Sequence, residues 1–481
     1  VSLFGIVLLV AAGLALIVTG LPAWIVLIAA SVFGAVVSVL SGASSALFSA
    51  LPSRLVGLLE NDLIQAIPLY VLMGALIDRL PITDAIFRTL SRALPGRGGH
   101  RPLVAGLTLG ALMGPMNGSV GASVVALSRT LAPRLEAAGI DAPTRQALIA
   151  VAGTLGVVVP PSLVLILLGD AMLSAHTAAL NATGRMDLIV NTRDVFRAAL
   201  VPAGLFFVLA LAVATVAGLR TRTAPREEAK AGLADVAITV VSIGFLVGLL
   251  GGVAAGRFYA VEAAAMGATV LFVAAAVTGR LSGGALSRLL DETLATTGVL
   301  LALLVAATTF TLVLRVLGTD RLVASLLADV PGGPAGTAAA GLAAIGLSAF
   351  VLDAFEIIFV IVPIVAPAIL MRVEDAAWVA ALILLTLQLS FLTPPVGYAL
   401  MLSRGLMRDA PPLAATLRRL APFLAVEIAV LAAVFAFPVL SKPEKLFAGR
   451  DAPAATAAPK PAGSDLMSIP LPDYAPPVVK P

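Results

Sequence analysis

Apolar residues fill this chain in runs of roughly 17–25, the length that carries a helix across a bilayer, and the runs recur as far as residue 440. Ten read as spans: 3–19, 22–40, 57–79, 146–173, 195–218, 235–255, 259–279, 294–316, 377–403 and 420–440. Two further runs, 102–133 and 336–370, are broken at their middles by polar and glycine residues. The first carries Gly114-Pro115-Met116-Asn117-Gly118-Ser119 there, the second Asp353-Ala354-Phe355-Glu356. A half-length helix, a polar turn and a second half-length helix predict a re-entrant hairpin, entering and leaving on one side.

Two of the ten runs are interrupted in another way. Pro160-Pro161 and Pro394-Pro395 each lie inside a helix-like apolar segment. Proline removes a backbone donor and clashes with the preceding turn, so a tandem pair breaks a helix. In a bilayer such breaks survive only where protein or a water-filled cavity satisfies the freed backbone groups. The pairs are 234 residues apart, and the same shift carries Pro133 onto Pro367 and Asp141 onto Asp375. It also carries the hairpin 102–133 onto 336–367. Each half then holds five spans, counting the broken one, and a hairpin. Because five is odd, the second half crosses the membrane upside down.

The expected fold class is an all-α polytopic membrane protein built as an inverted-topology repeat, with two re-entrant hairpins and two broken helices. Its first repeat is 1–218, with hairpin 102–133 and broken helix 146–173. A linker at 219–233 leads to a second repeat at 234–440, with hairpin 336–370 and broken helix 377–403. Residues 441–481, rich in Pro, Ala and Lys, read as a disordered tail.

Composition agrees with the pattern. Of the 481 residues 60% are hydrophobic and 12% charged, about half the charged fraction of a soluble domain, and mean hydropathy is +1.06. The basic residues behind the net charge of +4 sit between spans, so nucleic acid is not an expected partner. With no Cys there is no thiolate site, and the two histidines, His100 and His176, fall at expected span ends. Basic clusters at 88–101, in the linker and at Arg404, Arg408, Arg418 and Arg419 all fall on one face. The positive-inside rule makes that face cytoplasmic. The stretch 174–194 is expected to be an external insert. No Gly-x-x-x-x-Gly-Lys-Ser/Thr loop appears, so energy is expected from an ion gradient or a partner.

Candidate chemistry gathers at the tips and breaks. Asn117, Gly118, Ser119 and Val120 lie where the first hairpin turns. The second arm's N-terminus offers free N–H groups to an anion, while unwound carbonyls offer oxygen to a hard cation such as sodium. The alternative is a tight turn in which Ser119 only caps the next helix. Asp353 and Glu356 are carboxylates amid Leu, Phe, Val and Ile, where charge is a functional hypothesis by default. They also match a capping box, and Glu356 has the alternative of pairing with an arginine. Thr154, Pro160, Pro161 and Ser162 surround the first break; Gln388, Ser390, Thr393, Pro394 and Pro395 surround the second. These could complete an oxygen shell or simply pack helices together. Asp170, Glu262 and Glu427 are expected near an interface or internally paired. No catalytic residue is identified.

With these residues in view the chain resembles the large membrane subunit of tripartite ATP-independent periplasmic (TRAP) transporters, most nearly the mannitol or chloroaromatic-compound branch. The matching stretches are Gly121-Ala122-Ser123-Val124, Gly153 to Asp170, and Leu352 to Gly405. The first tip, Met116-Asn117-Gly118-Ser119, departs from the branch's usual pattern, as does Arg257-Phe258-Tyr259-Ala260-Val261. The resemblance implies an elevator-type secondary transporter in the bacterial inner membrane, not an enzyme. It would import a small organic acid anion, driven by sodium as the coupling ion, with no other cofactor. A periplasmic solute-binding protein would deliver the solute, and a small four-span subunit would complete the membrane part as a separate chain. The alternatives are a stand-alone sodium/anion symporter of the same superfamily, or an intramembrane enzyme.

Overall fold

The computed structural model describes residues 2–41, 45–94, 98–116, 119–160, 162–186, 188–220, 232–394, 397–407 and 409–444. Asn117, Gly118, Pro161, Pro395, most of the linker and nearly all of the tail lie outside them. Among the described residues every regular element is helical. The first half runs α1 (Ser2–Thr19), α2 (Ala23–Leu40), α3 (Leu51–Leu59), α4 (Asp62–Arg79) and α5 (Ile82–Ala93). Then come the hairpin arms α6 (His100–Met113) and α7 (Val120–Thr130), and the short α8 (Ala132–Ala137). Next are α9 (Ala142–Val158) and α10 (Leu163–Thr183), on either side of the first break, and last α11 (Thr192–Arg220).

The second half repeats this order. It opens with α12 (Leu233–Ala254), α13 (Ala260–Val277), α14 (Ala285–Val316) and α15 (Thr319–Ala328). Its hairpin is α16 (Gly333–Ser348), then α17 (Ala354–Glu356), which passes through a π-helical turn at Ile357–Ile361 into α18 (Val362–Leu370). The second break separates α19 (Ala376–Leu392) from α20 (Tyr398–Gly405), and α21 (Leu413–Ala436) closes the repeat. Both ends of α9 map onto both ends of α19 under the 234-residue shift.

The halves pack by exchange. Helix α4 lies on α13 while α2 lies on α14; α11 lies on α19 while α21 lies on α9; α10 lies on α18 while α20 lies on α7. Each contact is the image of its partner, as a pseudo-two-fold relation between halves requires. Small residues make this possible, because lipid removes the hydrophobic drive for helix association and leaves close packing to hold the bundle. The buried stripe of α13 is Ala260, Ala263, Ala264, Gly267, Ala268, Leu271 and Ala275. At Gly267 a Cβ would fall 2.5 Å from Met73 Sδ.

Two layers of burial result. Helices α1, α2 and α12 turn Val, Leu, Ile and Phe outward, as a lipid-facing surface must. Helices α9 and α19 are buried on every side from Gln146 to Val158 and from Trp378 to Gln388. They form the centre of the bundle, and the two breaks follow directly from their ends.

Several sequence expectations change. The run 57–79 is not one straight span: it bends by 48° between Phe48–Leu59 and Ile64–Arg79. Among the described residues seven unbroken helices are long and apolar enough to span, eight with that bent pair, while Leu3–Thr19 and Ala376–Leu392 fall just short of that length. Residues 174–183 are helical rather than loop, because α10 continues through them to Thr183. The basic stretch 88–101 is largely helix, and Arg88 is tied to Asp235 at 2.7 Å, pinning α5 to α12. Periodicity missed α5 and α15 because both are short and amphipathic.

Candidate functional site

The first hairpin is built backbone against backbone. Ser119 has extended geometry and caps α7, its hydroxyl accepting from the Ala122 N–H at 3.1 Å. One turn on, Ser123 Oγ donates to the carbonyls of Gly114 (3.2 Å) and Ser119 (3.0 Å), lacing the tip shut. Gly114 and Gly156 bring the tip onto α9 so closely that a Cβ on Gly114 would sit 2.7 Å from the Gly156 nitrogen. Gly110 against Ala152 and Gly153 against Val124 continue the seam. Glycine is required here by close approach, since every one of these added Cβ atoms would meet its neighbour inside van der Waals distance.

At the first break α9 leaves helical geometry at Val159, and Pro160 is buried. Ser162 then caps α10, accepting from the Leu165 N–H at 3.1 Å. The last carbonyls of α9 and the first N–H groups of α10 have no intrahelical partners, so the break exposes both kinds of backbone dipole. Thr154 is fully buried but spends its hydroxyl on Val151 O at 2.9 Å. In this conformation it reinforces its own helix.

The second break opens at Thr393, where α19 leaves helical geometry. Gly397 has φ +34°, and α20 begins directly after it with Tyr398. Thr393 donates through Oγ1 to Leu389 O at 2.6 Å, and its N–H reaches Ser390 O at 3.2 Å. Pro394 follows, partly buried. Ser390 is buried beside α16, where a Cβ on Gly346 would lie 3.2 Å from its Oγ. Gln388 is fully buried, and neither its Oε1 nor its Nε2 has a hydrogen-bond partner among the described residues.

At the second tip Asp353 caps α17, accepting from the Ala354 N–H at 2.8 Å. Glu356, one turn on, forms no ion pair among the described residues, and its Oε2 is buried without a hydrogen bond. The arginine partner that the sequence allowed is therefore not found among the described residues. The π turn that follows is held at Phe359 O by Thr311 Oγ1 from α14, at 3.1 Å.

One residue the sequence reading passed over joins these parts. The Tyr398 hydroxyl abuts α7 so closely that a Cβ on Gly121 would lie 2.5 Å from it. Its ring meets Phe391 edge-on, with centroids 6.3 Å apart. Tyr398 thus connects the first hairpin's second arm with both sides of the second break. Its position directly after Pro-Pro-Val-Gly was the available signal. Gln146 was missed too: it is fully buried, donates to Leu400 O at 3.3 Å and accepts from Thr416 Oγ1 at 2.7 Å. It fastens α9 to α20 and α21.

The remaining membrane-depth groups divide. Asp170 accepts from Asn61 Nδ2 at 3.2 Å, and Glu262 caps α13 through the Tyr259 N–H at 2.8 Å. Glu427 departs from expectation, with both carboxylate oxygens buried and without a partner among the described residues. His100 opens α6, at a helix end as expected, and His176 lies within α10. Both are buried, and His176 Nδ1 accepts from the Val190 N–H at 3.1 Å.

The family model described as "Tripartite ATP-independent periplasmic transporter, DctM component" matches residues 10–440. The sialic acid TRAP transporter large permease protein of Vibrio cholerae is 26% identical over 395 residues, covering 80% of this chain and 86% of that one. The C4-dicarboxylate TRAP large permease of Pseudomonas aeruginosa is 24% identical, covering 79% and 86%. The ectoine TRAP large permease of Halomonas elongata is 24% identical, covering 90% and 97%. Among solved structures, the Alcanivorax borkumensis YdaH transporter aligns with TM-score 0.55 at 15% identity, over 83% of this chain and 88% of that one. Neisseria gonorrhoeae MtrF aligns with TM-score 0.52 at 12% identity, over 81% and 83%. These two likenesses speak for the fold alone. The chain belongs to the DctM family of tripartite ATP-independent periplasmic transporters, as a large multi-pass permease subunit of the inner membrane.

Proposed function

We propose that this permease imports a small organic acid anion in symport with sodium, receiving it from a periplasmic solute-binding protein. A separate small four-span subunit completes the membrane assembly. The relatives named above carry sialic acid, C4-dicarboxylates and ectoine, which supports a compact carboxylate-bearing solute.

One observation carries the reading: Asp353 and Glu356 sit one turn apart and partly buried at the second tip, and no basic side chain pairs with either carboxylate among the described residues. Two acids at membrane depth without a counter-ion favour a cation, and opened helix ends supply the oxygen ligands a hard cation needs. Sodium would be held by Asp353, Glu356 and the oxygens of Ser390, Thr393 and Pro394, with a related site formed by Thr154, Pro160, Pro161 and Ser162. Gln388 would supply its free amide. The anion would lie toward the N-terminus of α7, at Asn117 to Val120, where helix dipole and free N–H groups favour negative charge. In an elevator motion the α9 and α19 centre, with both hairpins, would slide against α2, α4, α13 and α14.

Proteoliposomes holding both membrane subunits test this. Uptake should require a sodium gradient and the loaded binding protein, and Glu356→Gln should weaken half-saturation by sodium about tenfold, equivalent to roughly 1.4 kcal/mol. Uptake that ignores sodium would overturn the coupling, and uptake without the binding protein would favour a stand-alone symporter.

A further inference from the structure

The pseudo-symmetry between halves makes two openings conspicuous, because each has a closed counterpart. The first lies at the start of α21, against the N-terminus of α9. It is a corner of about 300 Å³ lined by Asp141, Pro143, Ala415, Arg418 and Arg419. Arg419 reaches Asp141 only loosely, at 3.6 Å, and Arg418 forms no ion pair among the described residues. Both arginines are exposed, so the corner carries an excess positive charge. The counterpart corner, between α11 and α19, is filled by the protein itself. There Lys442 pairs with Asp375 at 2.6 Å and Arg197 with Glu444 at 2.7 Å.

The second opening is an apolar cleft of about 450 Å³ between α16, α19 and α21. Its walls include Ala339, Ala343, Gly346, Ile428 and Phe435. In the first half α6 packs directly on α11, and a Cβ on Gly218 would collide with the backbone of His100. The fold therefore does not require the cleft.

Both openings belong to α21 and are joined along it. Ala421, Ala425, Ile428 and Ala432 follow Arg418 at spacings of three, seven, ten and fourteen residues, which places them on one face, and all are exposed. At 1.5 Å rise per residue, Ile428 lies about 15 Å from Arg418 along the axis. That is about half of a ~30 Å hydrocarbon core, the depth of one leaflet. A cationic corner at the helix start, an apolar stripe one leaflet long and an apolar cleft at its end match the shape and charge of one kind of molecule.

We propose that α21 holds an anionic phospholipid, its phosphate at Arg418 and Arg419 and an acyl chain running along Ala421 and Ala425 into the cleft beside α16. Basic pockets between spans are suited to anionic headgroups. The bound lipid would fill the space between the outer arm of the second hairpin and α21. Nothing in this depends on which solute or ion the permease carries.

The test uses the purified full chain, titrated with dioleoyl phosphatidylglycerol or dioleoyl phosphatidylcholine, and counts retained lipids by native mass spectrometry. Phosphatidylglycerol should be retained preferentially, near one per chain. Arg418→Gln leaves the Arg419–Asp141 contact in place and should weaken phosphatidylglycerol retention about fivefold, with phosphatidylcholine unchanged. Ala343→Phe, which fills the cleft, should weaken retention of both. Equal retention of the two lipids, or an Arg418→Gln chain that binds phosphatidylglycerol like wild type, would overturn the proposal. So would displacement by inorganic phosphate alone, which would make the corner a free-anion site. Loss of the lipid on adding the small subunit would make the cleft a helix interface, and would overturn it as well.

Discussion

Substituting Gly156 by Ala tests the seam between the first hairpin and α9. The added Cβ would lie 2.5 Å from the Gly114 carbonyl carbon and 3.1 Å from its Cα. Carbon–carbon contacts settle at about 3.5–4.0 Å, so the tip must retreat by about 1 Å. Both sides of the contact are backbone, so no side chain can rotate away. Overpacking of this kind costs about 1–3 kcal/mol. The functional loss should be larger in proportion, because a misplacement of about 1 Å at a positioned site costs on the order of 100-fold in rate. Solute uptake into proteoliposomes should therefore fall at least tenfold, with a smaller drop in melting temperature. Gly204→Ala is the control: nothing lies within 4 Å of its added Cβ, and alanine favours a helix interior by about 0.8–1.0 kcal/mol. Wild-type uptake by the Gly156→Ala protein would refute the backbone contact and the site geometry built on it.

Three other outcomes are expected. Asp353→Asn keeps an oxygen to accept from the Ala354 N–H, so melting should hold while sodium dependence weakens; Asp353→Ala should also lose about 1 kcal/mol of capping, read by thermal melting. Gln146→Leu strands the buried Thr416 hydroxyl, costing about 1–3 kcal/mol, with sodium half-saturation unchanged. Trp378→Phe removes the 2.8 Å bond from Nε1 to Val434 O, and should lower stability by about 1 kcal/mol in a denaturation series.

Apolar run length, the paired prolines and the 234-residue shift made the helical class and the repeat legible, because each is a local property of the chain. Bilayer thickness sets the first, and backbone chemistry at proline sets the second. The same locality placed the caps Ser119 and Asp353, since both act within a few residues of themselves. The amphipathic α5 and α15 escaped notice because neither is long or apolar enough to read as a span.

What a residue touches across the bundle was not legible. Tyr398 looks like any aromatic at a helix start until α7 is packed against it at Gly121. Gln146 and Gln388 are both buried amides on central helices, yet among the described residues one is satisfied across the bundle and the other is not. Glu356 and Asp170 are both acids in apolar runs, and only the fold supplies Asn61 to the second. The sequence by itself determined where the helices form and where they break, because those choices rest on local backbone and solvation energies. Only the tertiary structure decided which polar groups meet and which stay without partners, since packing distant segments together fixes their neighbours.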